Sequence, residues 1–268
     1  MLVNNKIAYI FTSYNTPYLY DKKLSFFKKI KLKFKKEKVL ENIKDENFLS
    51  FINYSEKYSQ KKIFPFLLNN ENKDEFIDSI EKFNADIFYV FSTYPQMNSK
   101  TFEISNFFKH HFPSETIDKL FWVKSYFSSS IYINSLVKKI RKIILKNKLN
   151  EKNLKLIFLA EKDPFNNLYN FESKVTSQNI IKYFPYSEGE TIFYDEKNIK
   201  KILEKENNKN TIFIQISSIL EDKLIVENFD NKPFYYITSL IEDSFFIRSI
   251  FNIIEEKNFI TNEMLNIF

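Results

Sequence analysis

The sequence predicts an α/β protein built as two doubly wound lobes with parallel sheets. Three observations predict it. Runs of nearly continuous apolar residues, as in strands covered on both faces, alternate with amphipathic helical stretches along most of the chain. A polar break, Asn150-Glu151-Lys152-Asn153, divides that alternation into two halves of about four strands each. At 268 residues the chain has room for one large domain or two similar lobes. The expected division is an N-terminal α/β lobe over 1–150 and a C-terminal α/β lobe over 151–268. Helical crossovers between successive strands are what impose a mainly parallel sheet.

The elements follow in order. Residues 6–14 read as a strand, and a helix with apolar positions at Leu24, Phe27 and Ile30 follows. Residues 38–60 read as helical, 61–67 as a short strand and 73–83 as a helix. Asp86–Tyr94 is a strand, and 99–112 is a helix whose apolar stripe includes Phe102, Ile104 and Phe108. Residues 119–127 are a strand. The clearest helix spans 128–148, with Ser128, Ser129 and Ser130 suited to its N-cap. The second half repeats the pattern, with strands over 154–161, 190–195, 211–218 and 232–238. Its helices are expected over 170–184, 197–206 and 243–257. In such sheets ligands bind beyond the carboxyl ends of the strands. The loops 12–20, 93–101, 125–131, 160–168 and 216–224 therefore carry the candidate site.

Composition narrows the chemistry. The chain has no cysteine, which excludes disulfides, thiolate metal ligands and a cysteine nucleophile. It holds 31 Phe and 16 Tyr but one Gly, Gly189, and one Trp, Trp122. With its many Lys, Asn and Ile, this bias suggests an A/T-rich genome. Turns are expected to use Asn, Asp and Ser in place of glycine. No apolar run reaches the roughly 18 residues a membrane span needs, and the N-terminus reads as a strand rather than a signal peptide. The expectation is a soluble intracellular protein, in cytoplasm or organellar matrix. The net charge is +6, with basic residues clustered over Lys22–Lys38. That cluster reads first as a solvated amphipathic helix. It also offers a docking face for a protein assembly or an anionic surface, while nucleic acid is disfavoured for want of a recognisable signature. His110 and His111 are adjacent on a helix, about 100° apart, and cannot chelate one ion together.

The loops, taken in order, resemble the ferrochelatases, which insert iron into a porphyrin. Tyr14-Asn15-Thr16-Pro17-Tyr18 is similar to that family's Tyr-Gly-Thr-Pro-Tyr after its first strand, with Asn for Gly. Pro95 to Phe102 resembles its Pro and hydroxyl-rich segment before a helix. YFSSSIYINSLVKKIRKII and SFFIRSIFNII resemble its strand, loop and long helix and its closing helix. The family's metal-handling His lies in a Ser-Ala-His-[GS]-x-Pro loop. Leu159-Ala160-Glu161-Lys162-Asp163-Pro164 matches that loop at Ala and Pro and puts Glu161 in the His position.

The resemblance implies a chelatase-like fold and a cleft for a porphyrin or haem. It assigns Tyr14, Thr16, Pro17, Tyr18, Tyr94, Phe102 and Tyr126 to ligand binding. Glu161 would be the metal ligand and base, with Glu221 or Asp222 as the family's second acid. An imidazole can accept a pyrrole proton near neutral pH, whereas an exposed carboxylate is a weak base. The Lys162 ammonium, if close, would favour the charged form of Glu161. The expected function is therefore a divergent ferrochelatase-like protein with lost or weakened iron insertion, serving as a tetrapyrrole-binding or structural subunit. The alternative is an active ferrochelatase that inserts ferrous iron with Glu161 replacing the His.

Overall fold

The computed structural model describes residues 6–14, 45–68, 73–163, 167–206, 209–229, 234–241, 243–256 and 260–261. The expected helix after the first strand, the Lys22–Lys38 cluster, and Thr16, Pro17, Tyr18 and Pro164 lie outside the described residues.

Two sheets form, as the alternation predicts. The first has the order β2-β1-β3-β4-β9, from β1 (Ile7–Tyr14), β2 (Ile63–Leu68), β3 (Ile87–Ser92), β4 (Leu120–Val123) and β9 (Ile260–Thr261). Its β1–β4 pairings are parallel, and β9 runs antiparallel to β4. The second is wholly parallel, in the order β6-β5-β7-β8, from β5 (Lys155–Glu161), β6 (Glu188–Tyr194), β7 (Thr211–Gln215) and β8 (Tyr235–Ile237). Pro65 lacks a backbone N–H, and it is tolerated in β2 because β2 is an edge strand.

Helices cover both faces of both sheets, which is why the strands read as continuous apolar runs. One core cluster joins the sheets. It runs from Phe11 and Phe91 through Leu136 and Ile140 to Leu156, Ile214, Phe246 and Ile250. It is roofed by α1 (Glu46–Ser59), α5 (Ser130–Asn147), α6 (Asn167–Ile181) and α9 (Ser244–Ile254). These helices lie side by side, α9 against α1 and α5, and α5 against α6. The outer face of the first sheet packs on α2 (Lys73–Phe83) and α3 (Ser99–His111) around Phe66, Phe76 and Phe108. The outer face of the second packs on α7 (Ile199–Lys205) and α8 (Lys223–Phe229) around Phe213 and Phe229.

Three elements have no counterpart among those expected from sequence. They are α8, the single turn α4 (Ser114–Ile117) and β9. All are short, and β9 exists only through pairing with a strand far away in the chain. Helix caps differ from expectation too. Ser129 takes the N-cap of α5 without a side-chain cap bond, whereas Asp45, Asn98 and Asp243 make theirs to α1, α3 and α9. His110 and His111 are both exposed on α3. The lone glycine sits where α6 presses on β6. A Cβ on Gly189 would come within 2.6 Å of Ile181 Cγ1.

Left-handed backbone occurs at Gln60, Asn84 and Lys148. Only Asn84 belongs to the residue types expected there. Gln60 and Lys148 close α1 and α5 as left-handed C-caps, a position that favours glycine because a Cβ costs roughly 1–2 kcal/mol there. Gln60→Gly should therefore stabilise the fold by up to about 1 kcal/mol once the extra chain entropy of glycine is subtracted. Thermal or urea denaturation reads this directly.

Candidate functional site

Strand order reverses between β1 and β3 in the first sheet and between β5 and β7 in the second. The crevice beyond such a reversal is where doubly wound sheets bind ligands. The end of β1 at Tyr14 and the residues that follow β3, β5 and β7 meet there across the two sheets.

Glu161 ends β5, and the next residues alternate in direction as an extended chain must. Glu161 reaches the first half, where Lys100 Nζ donates to its Oε2 at 2.6 Å. Lys162 turns back within its own half and pairs with Asp195 at 2.7 Å. Asp163 reaches across again and accepts the Ser99 backbone N–H at 2.6 Å, placing a carboxylate at the N-terminus of α3. The ammonium beside Glu161 is thus that of Lys100, not Lys162. Sequence reasoning missed Lys100 because it belongs to the first turn of α3, 61 residues earlier. The side chains of Lys100 and Glu161 are 19% and 37% exposed, so the pair is shielded more than an ordinary surface pair.

Lys100 Nζ also lies 5.7 Å from the Tyr14 ring centroid and 5.4 Å from that of Tyr94, within cation–π range. Burial works against the Lys100 charge. The Tyr94 hydroxyl, Glu161 and Asp222 outweigh it and hold the ammonium above the usual lysine range. Burial, with a contribution from Glu161 against the opposing effect of Lys100, pushes the Tyr94 phenol up to about 12.

The loop after β7 is organised by Gln215, which accepts the Asp222 N–H at 3.1 Å and donates to the Leu220 carbonyl at 2.7 Å. Asp222 caps α8 by accepting the Leu224 N–H at 2.9 Å, and also accepts a hydrogen bond from the Tyr194 hydroxyl at the end of β6. Burial first, and then Asp222 and Glu161, raise the Tyr194 pKa well above the phenol range. Glu221 is exposed and turned toward β8, where Thr238 Oγ1 donates to it at 3.4 Å. Of the two candidate acids, Asp222 is the one that acts electrostatically on Lys100 and Tyr194.

The remaining candidates are more dispersed. Tyr14 and Phe102 are half-buried against the outer core of the first sheet. Tyr126 is buried in the inner core that joins the sheets. Its ring is stacked on Phe91 at 4.9 Å and edge-on to Tyr132, and its hydroxyl donates to the Ser92 carbonyl at 3.1 Å. Among the described residues, no group of three or more His, Cys, Asp or Glu side chains is placed to hold a metal ion.

Glu172 of α6 was not among the candidates. It is 5% exposed and accepts Met97 N–H at 2.7 Å and the Ser125 hydroxyl at 3.2 Å, both from the first half. A signal for it was available. The buried stripe of α6 is Tyr169, Glu172, Ser173, Thr176, Ser177 and Ile180, polar where a core-facing stripe is ordinarily apolar. Burial raises the Glu172 pKa to about 7, against the two hydrogen bonds that favour its charge. A carboxyl whose folded pKa is raised contributes stability that is full below its unfolded value and lost as pH rises through about 7. Glu172→Gln, which keeps the acceptor without the titration, should therefore gain in melting temperature relative to the parent between pH 5 and pH 8. The gain should approach about 3 kcal/mol at the upper end, as read by melting curves across that range.

No protein-family model and no curated protein matches the chain. Solved structures do. CbiX, described as the terminal enzyme for biosynthesis of siroheme in denitrifying bacteria, superposes with a TM-score of 0.59 at 6% identity, over 91% of this chain and 98% of CbiX. The sirohydrochlorin chelatase SirB of Bacillus subtilis subspecies spizizenii, in complex with cobalt, gives 0.58 at 9% identity, over 92% and 94%. SirB from Bacillus subtilis with Fe3+ gives 0.57 at 10% identity, over 94% and 97%. The two parallel sheets with flanking helices are thus those of the chelatase fold, matched over nearly the whole length of both partners.

Proposed function

We propose that this chain is a divergent chelatase, ferrochelatase-like in its loop order, whose metal insertion is lost or severely weakened. It would act as a tetrapyrrole-binding or structural subunit. The fold shared with CbiX and the SirB proteins supports a tetrapyrrole-related origin, and the ordered ferrochelatase motifs support the narrower kinship. The observation that carries the loss of chemistry is the Lys100–Glu161 ion pair.

Metal insertion needs a group that receives the incoming dication and a group that takes two pyrrole protons. In this chain Glu161 stands in the position of the family's His, and one of its oxygens is already occupied by an ammonium. That ammonium also repels a dication approaching the same carboxylate, an effect on the order of several kcal/mol at short range in a partly shielded site. The hydroxyls nearby offer no substitute, because Tyr94 is pushed up to about 12 and Tyr194 well above the phenol range. Efficient proton transfer needs a pKa near the working pH. Glu172, raised to about 7, is committed to the Met97 N–H and the Ser125 hydroxyl. What remains suited to a flat aromatic ligand is the half-buried Tyr14 ring with the Lys100 cation beside it.

Purified protein should show no insertion of ferrous iron into protoporphyrin, or of cobalt into sirohydrochlorin, above the uncatalysed rate. Turnover that disappears in Glu161→Ala would overturn the proposal and establish the active alternative, with Glu161 and Asp222 as its carboxylates. Lys100→Ala, which removes the competing ammonium, should strengthen cobalt binding by roughly tenfold or more in a calorimetric titration. Glu161→Ala should abolish that gain.

A further inference from the structure

The four helices α1, α9, α5 and α6 make one layer across the two sheets, on the side away from α2, α3, α7 and α8. Its most unusual member is α5. The segment 128–148 carries six of the chain's 40 lysines and arginines and none of its 34 acids.

The helical period separates its faces. Tyr132, Ile133, Leu136, Val137, Ile140 and Ile144 are buried. Lys138, Arg141, Lys142 and Lys146 fall on the opposite stripe and are exposed. Among the described residues none of these four is in an ion pair. Leu145, in the middle of the stripe, is 79% exposed, the reverse of what an amphipathic core helix places there. Aromatic rings border the cations on both sides. Lys138 Nζ lies 3.4 Å from the centroid of the half-exposed Phe245 ring of α9, and the Arg141 guanidinium lies 5.9 Å from that of Tyr183, just past α6.

We infer that the exposed face of α5, with Phe245 and Tyr183 at its borders, is a docking surface for an anionic lipid bilayer. Unpaired cations along a broad helical layer meet a surface of negative headgroups, each contributing through its proximity to that surface. The apolar Leu145 and Phe245 and the amphipathic ring of Tyr183 suit the headgroup boundary, where rings with one polar and one apolar end settle. Nucleic acid fits less well, since the two rings already carry a cation over one face and base stacking would compete for them.

The test is co-sedimentation of the full chain with vesicles of phosphatidylcholine alone and of phosphatidylcholine mixed with phosphatidylserine. Binding is expected only to the mixed vesicles, and it should weaken as salt is raised. The triple variant Arg141→Ser, Lys142→Ser and Lys146→Ser, checked for an unchanged melting curve, should lose binding on the order of a hundredfold. Leu145→Ser should weaken binding while leaving its salt dependence in place. Three results would overturn the inference. One is no preference for the mixed vesicles. Another is full binding by the folded triple variant, which would move the contact elsewhere, to Lys22–Lys38 for example. The third is triple-variant-sensitive capture of a single-stranded oligonucleotide with no vesicle binding.

Discussion

The segment from Thr93 to Ser99 holds the two halves of the molecule in register. It leaves β3 at the point where strand order reverses, and most of its polar groups are buried. Buried backbone groups must find partners, and here many of those partners come from the other half. Ile219 N–H donates to the Thr93 carbonyl at 3.0 Å, Gln96 Nε2 donates to Thr176 at 3.3 Å, and Met97 and Ser99 donate to the carboxylates of Glu172 and Asp163. Tyr132 of α5 adds a bond to the Ile216 carbonyl at 3.0 Å. Hinging the halves apart would strand these groups, at roughly 1–3 kcal/mol for each one left unsatisfied. The relative placement of the two sheet edges, and so of Lys100 against Glu161, follows from this set of bonds.

The fold was legible in the sequence because its causes are local. Strands β1 to β5, each with four or more apolar residues, announce themselves without knowledge of their neighbours, as do the amphipathic helices between them. The site was legible only in part. Glu161 could be placed at a strand end facing the crevice from the run LIFLAEKD. Its partner could not, because Lys100 is one lysine among many and is distinguished only by the packing of α3 on the far side of the crevice. Glu172 lay between these cases. The polar stripe of α6 marked the helix as facing something other than a plain hydrophobic core, but what it faced depended on the 93–99 loop. The strand β9 had no local signal, since two residues acquire strand character only by pairing with Trp122 and Val123.

The tripeptide Glu161-Lys162-Asp163 ties a strand end of the second half to the first half. Each charge is matched: Glu161 by Lys100, Lys162 by Asp195, and Asp163 by the amino end of α3. Two of the three contacts join the halves. A loop that positions a free metal-binding side chain needs that side chain unsatisfied until substrate arrives, which costs stability. Here Glu161, Lys162 and Asp163 are all satisfied and contribute to cohesion. Fold and chemistry are separable in this way because the sheets are held by strand pairing and core packing that do not involve the site.

Charge is partitioned between the two sides of the molecule by the same helices that join the halves. At the crevice, Lys100 is set against Glu161 with Asp222 close by, so among the described residues the site has no excess of positive charge to draw an anion in. Across the layer, α5 turns apolar residues and the Tyr132 hydroxyl inward and unopposed cations outward. Among the described residues the unopposed cations lie on the helical face rather than at the crevice; fields of paired charges fall off quickly, and salt screens what remains beyond about 8 Å. An association guided by electrostatics would bring a partner to the outer face of α5. Occupancy of the crevice would rest on shape, aromatic contact and the exchange of one ion-pair partner for another.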